Sequence, residues 1–475
     1  MQIMRKIFVT VLAFMVLTPP SPSKALDFDR VVIDDDFAGV DQVEMADVNG
    51  DGRLDIVALG AGACAWYENP SWKRRIVTNS DQTPRIVSSA TADVDGDGKS
   101  EIAIAYDFVR EDPKRGKLLL AGQGKTLDDP WTLEPLADIG SIHRLRWYYR
   151  ISVGATGLWF NPVQPGRTPP HQGVISNTIA LVAAPLFSPS AEPPGFDQEP
   201  SRLMILNFPY TLSSTGGSRP FGMAGRLSDP IAQVASVGGL GGGPMRSIVA
   251  NRRLPKKPPF SRKIPFAGPF MIWKGGAPGL NSIDVIDRPD SESVSLLTAS
   301  QSGVTRYSGI VSFGLPGFFP YVLVRGADGL APAKGASEVR AGRLRDGRQF
   351  FVTVEPGQGT EVAAYVPRST ETMKIGPRIL LDATLKEVQA LCVADVDGDG
   401  DGEVFAGGRG SGKGVVMYDP AGSTWVRTVV DASLSANDLR SGDLDKDGAV
   451  DIVGVGGESR NVIWYKARAR SAPRR

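Results

Sequence analysis

The sequence predicts an all-β fold: a seven-bladed β-propeller of four-stranded blades, with an irregular Pro/Gly-rich insertion over about 150–280. Three observations carry this expectation. One acidic nonapeptide occurs four times, a short apolar run rich in β-formers follows each copy, and 475 residues include 55 Gly and 36 Pro, the residues of turns. Composition agrees, since 41% hydrophobic and 22% charged residues suit a globular chain, too apolar for disorder and too polar for a membrane bundle.

The nonapeptide spans 47–55, 93–101, 395–403 and 443–451. Position 1 is Asp47, Asp93, Asp395 or Asp443, and position 3 is Asn49, Asp95, Asp397 or Asp445. Position 5 is Asp51, Asp97, Asp399 or Asp447, and position 9 is Asp55, Glu101, Glu403 or Asp451. Oxygen-bearing side chains at alternate positions of a tight loop suit a hard cation, because Ca2+ takes roughly six to eight oxygens at about 2.3–2.6 Å. A backbone carbonyl at position 7 (Arg53, Lys99, Asp401, Ala449) would add a ligand, and Gly at position 6 (Gly52, Gly98, Gly400, Gly448) supplies the sharp turn. An EF-hand would need Glu at position 12, where this chain has Ala58, Ile104, Ala406 and Gly454. Four copies at one spacing argue against merely solvated acidic turns.

Each loop leads into an apolar strand: 54–59, 101–105, 403–406 and 451–455. A third strand follows at 65–67, 415–418 and 462–465, and a fourth, with a Trp-x-Arg start, at 72–77 and 425–430. Four strands in a repeat of about 50 residues make a propeller blade.

These residues carry a resemblance. The nonapeptide ahead of an apolar strand, the run Trp66, Tyr67, Glu68, Asn69, Pro70 and the Trp-x-Arg strand resemble the FG-GAP or VCBS repeat, the calcium-bearing blade of integrin α-chain propellers and of many secreted bacterial proteins. The resemblance covers 28–107 and 388–465. It implies Ca2+ as the cofactor and a binding or scaffold module for a protein or carbohydrate ligand.

Between the second and third nonapeptides, three units without an acidic loop are expected. A first strand at 143–147 should meet its loop near Tyr149. Residues 284–287 lead to 294–298 and 303–307, and strands at 338–344 and 349–353 flank a turn at Asp346 and Gly347. Blade loops near 47, 93, 149, 287, 343, 395 and 443 make seven. The surplus falls in Pro-, Gly- and Arg-rich stretches at 161–174, 188–200 and 213–280, read as long excursions from one face. Their basic cluster (Arg252, Arg253, Lys256, Lys257, Arg262, Lys263) reads as a solvated loop. No Trp-x-Arg strand follows 462–465, whereas 29–33 precede the first loop at the offset of such a strand. The N-terminal strand is therefore expected to complete the last blade and cover its open edge.

Arg5 and Lys6, the apolar run 7–17, and Ser23, Lys24, Ala25 form the pattern of a secretory signal cleaved after Ala25, so a secreted or periplasmic location is expected. The run is too short to span a bilayer. Cleavage takes Arg5, Lys6 and Lys24 from the 53 basic residues and leaves 50 against 52 acidic ones, a balance that points to neither nucleic acid nor an anionic membrane. Residues 467–475 form a basic tail. Cys64 and Cys392, each in an apolar strand, read as buried free thiols.

Only two histidines, His143 and His171, are present, and neither a Gly-x-Ser-x-Gly elbow nor a His-Glu-x-x-His pattern occurs. The runs 139–147, 338–344 with 355–359, and 438–445 are similar to propellers related to the N-terminal domain of aldos-2-ulose dehydratase/isomerase. That resemblance implies funnel-facing histidines that hold a metal. This chain keeps His143 and has Asn281, Gln358 and Gln389 at the other places, which implies that a multi-imidazole site is lost. His143 is the weak candidate for catalysis. A lyase or dehydratase acting on a sugar derivative in the funnel is the alternative to the binding module, and a purely structural role is a third.

Overall fold

Each nonapeptide joins the first two strands of a four-stranded antiparallel sheet. The computed structural model describes residues 27–94, 97–152, 175–188, 201, 203–212, 267–271, 279–286, 294–313, 321–330, 335–356, 359–369 and 376–468. After β1 (Phe28–Asp34), the first sheet holds β2 (Val40–Ala46), β3 (Asp55–Gly60), β4 (Ala63–Glu68) and β5 (Lys73–Thr78). The second holds β6 (Ser88–Ala92), β7 (Glu101–Tyr106), β8 (Lys117–Gly122) and β9 (Thr132–Asp138), and the third β10 (Ile142–Ser152), β11 (Ile175–Pro185), β12 (Met204–Leu212) and β13 (Ala267–Met271). In the fourth are β14 (Ser282–Ile286), β15 (Val294–Ser300), β16 (Gly303–Phe313) and β17 (Tyr321–Leu330), and in the fifth β18 (Glu338–Arg343), β19 (Gln349–Glu355), β20 (Glu361–Tyr365) and β21 (Arg378–Asp382). The sixth holds β22 (Ala390–Ala394), β23 (Glu403–Gly408), β24 (Gly414–Ala421) and β25 (Thr424–Asp431), and the last β26 (Asp438–Gly442), β27 (Asp451–Gly456) and β28 (Asn461–Ala467).

The first strand of each sheet touches that of the next, β2 to β6, β10, β14, β18, β22 and β26, and β26 returns to β2, so the sheets form a closed propeller. A count of six blades would leave one of these seven inner strands out of the ring, yet each contacts inner strands on both sides. β1 fills the fourth place of the last sheet, antiparallel to β28 from Phe28 opposite Ala467 to Asp34 opposite Val462. The closure expected from residues 29–33 is thus present, and β28 extends the last blade to Ala467.

Apolar residues cluster between neighbouring sheets. Val43, Ile56, Ala65 and Tyr67 pack on Leu444, Val453, Val462 and Trp464 of the last sheet, and Val57, Leu59 and Trp66 pack on Ile102, Ile104 and Leu119 of the second. Each fully buried Val, Ile or Leu contributes about 1.5–3 kcal/mol. β3, β23 and β27 are buried along their whole length, whereas the outermost strands carry the exposed Val32, Ile76, Leu380, Val426 and Val429. Charged neighbours such as Lys73, Arg74 and Arg378 on these edges discourage pairing with other chains. Cys64 and Cys392 are buried and free, and burial pushes both thiols up.

The Trp-x-Arg strand explains itself through a clamp between blades. Asp382, at the end of β21, accepts from Tyr418 Oη at 2.6 Å and Arg427 Nε at 2.9 Å in the next sheet. Asp431, at the end of β25, likewise accepts from Tyr465 (2.8 Å) and Arg30 (2.9 Å), and Asp34 from Tyr67 (2.7 Å) and Arg74 (2.9 Å). Tyr365 and Arg378 meet Glu355 of their own sheet instead, at 2.7 and 2.8 Å.

The insertion needs correction. The region 150–280, expected to be irregular, supplies β11, β12 and β13 of the third sheet, and β10 runs past the loop expected near Tyr149 to Ser152. Backbone pairing with β11 and β12 carries these strands, and their apolar runs are hidden in the sequence by the Pro- and Gly-rich stretches beside them. The signal segment, His171, Gln358, the basic cluster and most of the basic tail lie outside the described residues.

Two outcomes follow. Deleting residues 26–36 removes β1 and two clamp residues, and is expected to lower the melting temperature in calorimetry by on the order of 10 °C, at about 2–4 °C per kcal/mol. An unchanged melting temperature contradicts the closure. Although burial works against its charge, the hydrogen bonds from Ser433, Tyr465 and Arg30 hold the Asp431 carboxyl down at about 2. A depressed carboxylate stabilises the fold above its unfolded value near 3.8, and that stability is lost as pH falls from about 4 to 2. Asp431→Asn is expected to cost on the order of 2 kcal/mol at pH 7 in urea unfolding and to flatten the acid decline.

Candidate functional site

The acidic loops repeat one hydrogen-bond pattern. The position-1 carboxylate accepts the position-6 N–H: Gly52 on Asp47 at 2.8 Å, Gly98 on Asp93 at 3.1 Å, Gly400 on Asp395 and Gly448 on Asp443 at 3.0 Å. The position-5 carboxylate accepts the position-7 N–H, as from Arg53 to Asp51 at 2.7 Å and from Ala449 to Asp447 at 2.9 Å. The position-9 carboxylate accepts the position-2 N–H: Val48 to Asp55 (3.0 Å), Val94 to Glu101 (2.8 Å), Val396 to Glu403 (2.7 Å) and Leu444 to Asp451 (3.1 Å). Position-6 glycines sit at φ between 82° and 93°, a region that side chains avoid.

This pattern folds the carboxylates inward. In the third loop, Asp395, Asp397, Asp399 and Glu403 each place an oxygen within 4.8 Å of the others, and in the fourth loop Asp443, Asp445 and Asp447 do so. Asp395 Oδ1, Glu403 Oε1 and Asp443 Oδ1 are buried without a hydrogen-bond donor. A buried bare carboxylate oxygen is costly, so these loops fit a hard cation as their missing partner. Burial raises the position-9 acids, Asp55 to about 7, Glu403 to about 8 and Asp451 to about 6. Asp95 of the second loop lies outside the described residues. Two side chains offer positive charge nearby: Arg345 contacts Asp399 at 2.6 Å and also Asp401, and Lys466 pairs with Asp445.

Neighbouring loops are joined. Ser100 N–H donates to the Asp47 carbonyl at 3.1 Å, and Gly402 N–H to the Arg343 carbonyl at 2.8 Å, the place in the fifth sheet where its own loop begins. The Asn69 side chain donates to Leu54 O at 2.8 Å and to Leu444 O of the last sheet at 2.7 Å, while its backbone N–H donates to Asp55 at 2.8 Å. That is the work of Asn69 in the Trp66–Pro70 run.

Sequence reasoning missed the groups that the inner strands bring together. Arg146 on β10 reaches Glu44 on β2 at 3.0 Å, past the intervening β6; Arg440 on β26 meets the same Glu44 at 3.2 Å and Asp438 at 2.6 Å. Arg340 pairs with Glu338 at 2.9 Å. Burial and the neighbouring Arg440 bring Arg146 down to about 10. Charged residues two apart, Arg144 and Arg146, Glu338 and Arg340, and Asp438 and Arg440, were the available signal, once those runs are assigned to inner strands.

His143 stands at the start of β10, where the pairing with β11 is bulged between Ile142 and Arg144. Its ring lies 5.4 Å from that of Phe108, and its Nδ1 is buried without a partner. Burial, with Arg144 and Arg110 nearby, holds its proton affinity well below the usual imidazole range, so the ring is neutral. Asn281 precedes β14 and Gln389 precedes β22, the corresponding places of their blades.

Residues 47–104 match the FG-GAP-like repeat family. No curated protein matches the chain at a significant level. Solved structures that resemble it include a putative 6-phosphogluconolactonase from Bacteroides uniformis (10% identity, 89% of this chain and 90% of that one, TM-score 0.40). Others are a chain of a mitotic checkpoint complex (9% identity, 96% and 98%, TM-score 0.42) and a putative 6-phosphogluconolactonase from Bacteroides fragilis (10% identity, 89% and 93%, TM-score 0.40). The chain is a β-propeller that carries an FG-GAP-like repeat over residues 47–104.

Proposed function

We propose that the protein is an exported, calcium-stabilised β-propeller that acts as a binding or scaffold module for a protein or carbohydrate ligand. The observation that carries the metal is the set of bare, buried carboxylate oxygens on Asp395, Glu403 and Asp443 inside the nonapeptide loops. Ca2+ would be held by positions 1, 3, 5 and 9 of each loop, with Asp95 completing the second set and the carbonyls of Arg53, Lys99, Asp401 and Ala449 adding a ligand each. Bound there, it pins the turn between first and second strands, and the bonds from Ser100 and Asn69 pass that stiffness to adjacent blades. Export is supported by the basic, apolar and small-residue succession over 5–25. Among the described residues no helix is long and apolar enough to cross a membrane.

Calorimetry of the full chain is the direct test. A ligand selective for the folded state stabilises it by about 2.7 kcal/mol at 100 times its Kd, so EDTA is expected to lower the melting temperature and added Ca2+ to restore it. Asp395→Ala and Asp443→Ala should each remove part of the shift. A melting temperature indifferent to EDTA and Ca2+ refutes the metal. Expressed in a bacterium with its first 25 residues, the chain is expected outside the cytoplasm with Leu26 at its N-terminus by mass spectrometry; an uncleaved cytoplasmic chain refutes the export.

A further inference from the structure

We infer that the acidic loops are graded in their affinity for Ca2+: the third fills first, the fourth is guarded by the tethered ammonium of Lys466, and the first, already closed by its own hydrogen bonds, fills last. The inference rests on the calcium reading and adds to it an order set by this chain's own residues. All three loops share one spacing, so the order comes from how many carboxylate oxygens each leaves for an ion.

The third loop leaves the most. Asp395 Oδ1 and Glu403 Oε1 are buried without a donor, Glu403 is 1% exposed, and Asp395, Asp397, Asp399 and Glu403 place oxygens within 4.8 Å of one another. Glu at position 9 accepts from Val396 with one oxygen, at 2.7 Å, and keeps the other. Arg345 contacts Asp399 at 2.6 Å, but its backbone N–H and Nε are held by Asp401 at 2.8 and 2.6 Å. Position 7 is acidic only in this loop, so five acids face one arginine.

The fourth loop leaves fewer. Both oxygens of Asp451 are taken by backbone N–H groups, from Leu444 at 3.1 Å and Ala467 at 2.9 Å, and the gathered set is Asp443, Asp445 and Asp447 with one bare oxygen, Asp443 Oδ1. Lys466 of β28 sets its ammonium on Asp445, with Asp447 at 3.9 Å and the Trp464 ring at 5.7 Å. Position 3 thus already has a cation, which Ca2+ must displace.

In the first loop every carboxylate oxygen has a donor. Asp47 accepts from Gly50 and Gly52 at 2.8 Å, Asp51 from the Arg53 N–H at 2.7 Å and the Asn49 side-chain amide at 3.3 Å, and Asp55 from Val48 at 3.0 Å and Asn69 at 2.8 Å. The Lys446 ammonium of the last blade stands 3.4 Å from where a side-chain carbon on Gly52 would lie. Calcium affinity follows the charge and number of the ligands, which places the third loop above the fourth and the fourth above the first.

Isothermal titration of the EDTA-stripped full chain with Ca2+ tests the order, with melting in EDTA as the check on folding. More than one class of site is expected. Glu403→Gln should weaken the tightest class at least tenfold. Lys466→Met, which keeps the stem over Trp464 without the charge, should leave that class alone and tighten a weaker one about fivefold, whereas Lys466→Arg should not tighten it. Asn49→Asp, which removes the internal donor and adds a ligand charge, should lower the melting temperature in EDTA and enlarge its recovery with Ca2+. A single uniform class, a tightest class indifferent to Glu403→Gln, or no tightening in Lys466→Met overturns the order. When such a result comes with a calcium-dependent melting shift, only the order falls; absence of both Ca2+ binding and a melting shift sinks the calcium reading itself.

Discussion

The pairing of β1 with β28 is the constraint on which the remaining structure depends. Each propeller sheet has two apolar faces, and each is covered only by the sheet beside it. A ring is the one arrangement that covers both faces of every sheet, and it persists only if the last sheet meets the first. Joining strands from opposite ends of the chain makes that meeting hard to undo. The same join carries Arg30 to Asp431 and Asp34 to Tyr67 and Arg74, so two of the clamps between blades exist only because the ring is closed.

Within the ring, polar groups do separate work at different radii. At the outer end, tyrosine and arginine share a buried carboxylate from the preceding blade, which sets how one blade sits on the next. At the loop end, nonapeptide carboxylates accept from their own backbone and turn further oxygens inward. At the inner strands, Glu44 pairs with Arg440 of the adjacent last blade and with Arg146 of the third blade, which is not its neighbour. Buried ion pairs of this last kind are weak contributors to stability relative to apolar packing, but removing one partner leaves an uncompensated charge, so they hold the inner strands to one register.

Much of the fold was legible in the sequence, for a physical reason that particular residues display. The nonapeptide is local: Asp47, Gly52 and Asp55 find their hydrogen-bond partners within a few residues, so spacing alone reports the turn. Strands beside it are short apolar runs, and their order was equally plain. Where the loop has decayed, at 142–271, the strands of the third sheet are held by pairing with one another, and Pro- and Gly-rich neighbours hid them. Asn69 was visible as part of a motif, but its bond to Leu444 spans most of the chain and no local pattern reveals it.

By itself the sequence determined the repeat, the carboxylates that can meet a cation, the number of blades and the N-terminal strand that completes the last one, because each depends on side chains close in the chain or on counting. Only the tertiary structure decided which carboxylate oxygens lie bare inside the third and fourth loops, why the Trp-x-Arg arginine is there, and that His143 Nδ1 is buried without a partner. Those facts arise from groups on different blades, and their distances are set by ring closure and packing between sheets, which spacing along the chain does not encode.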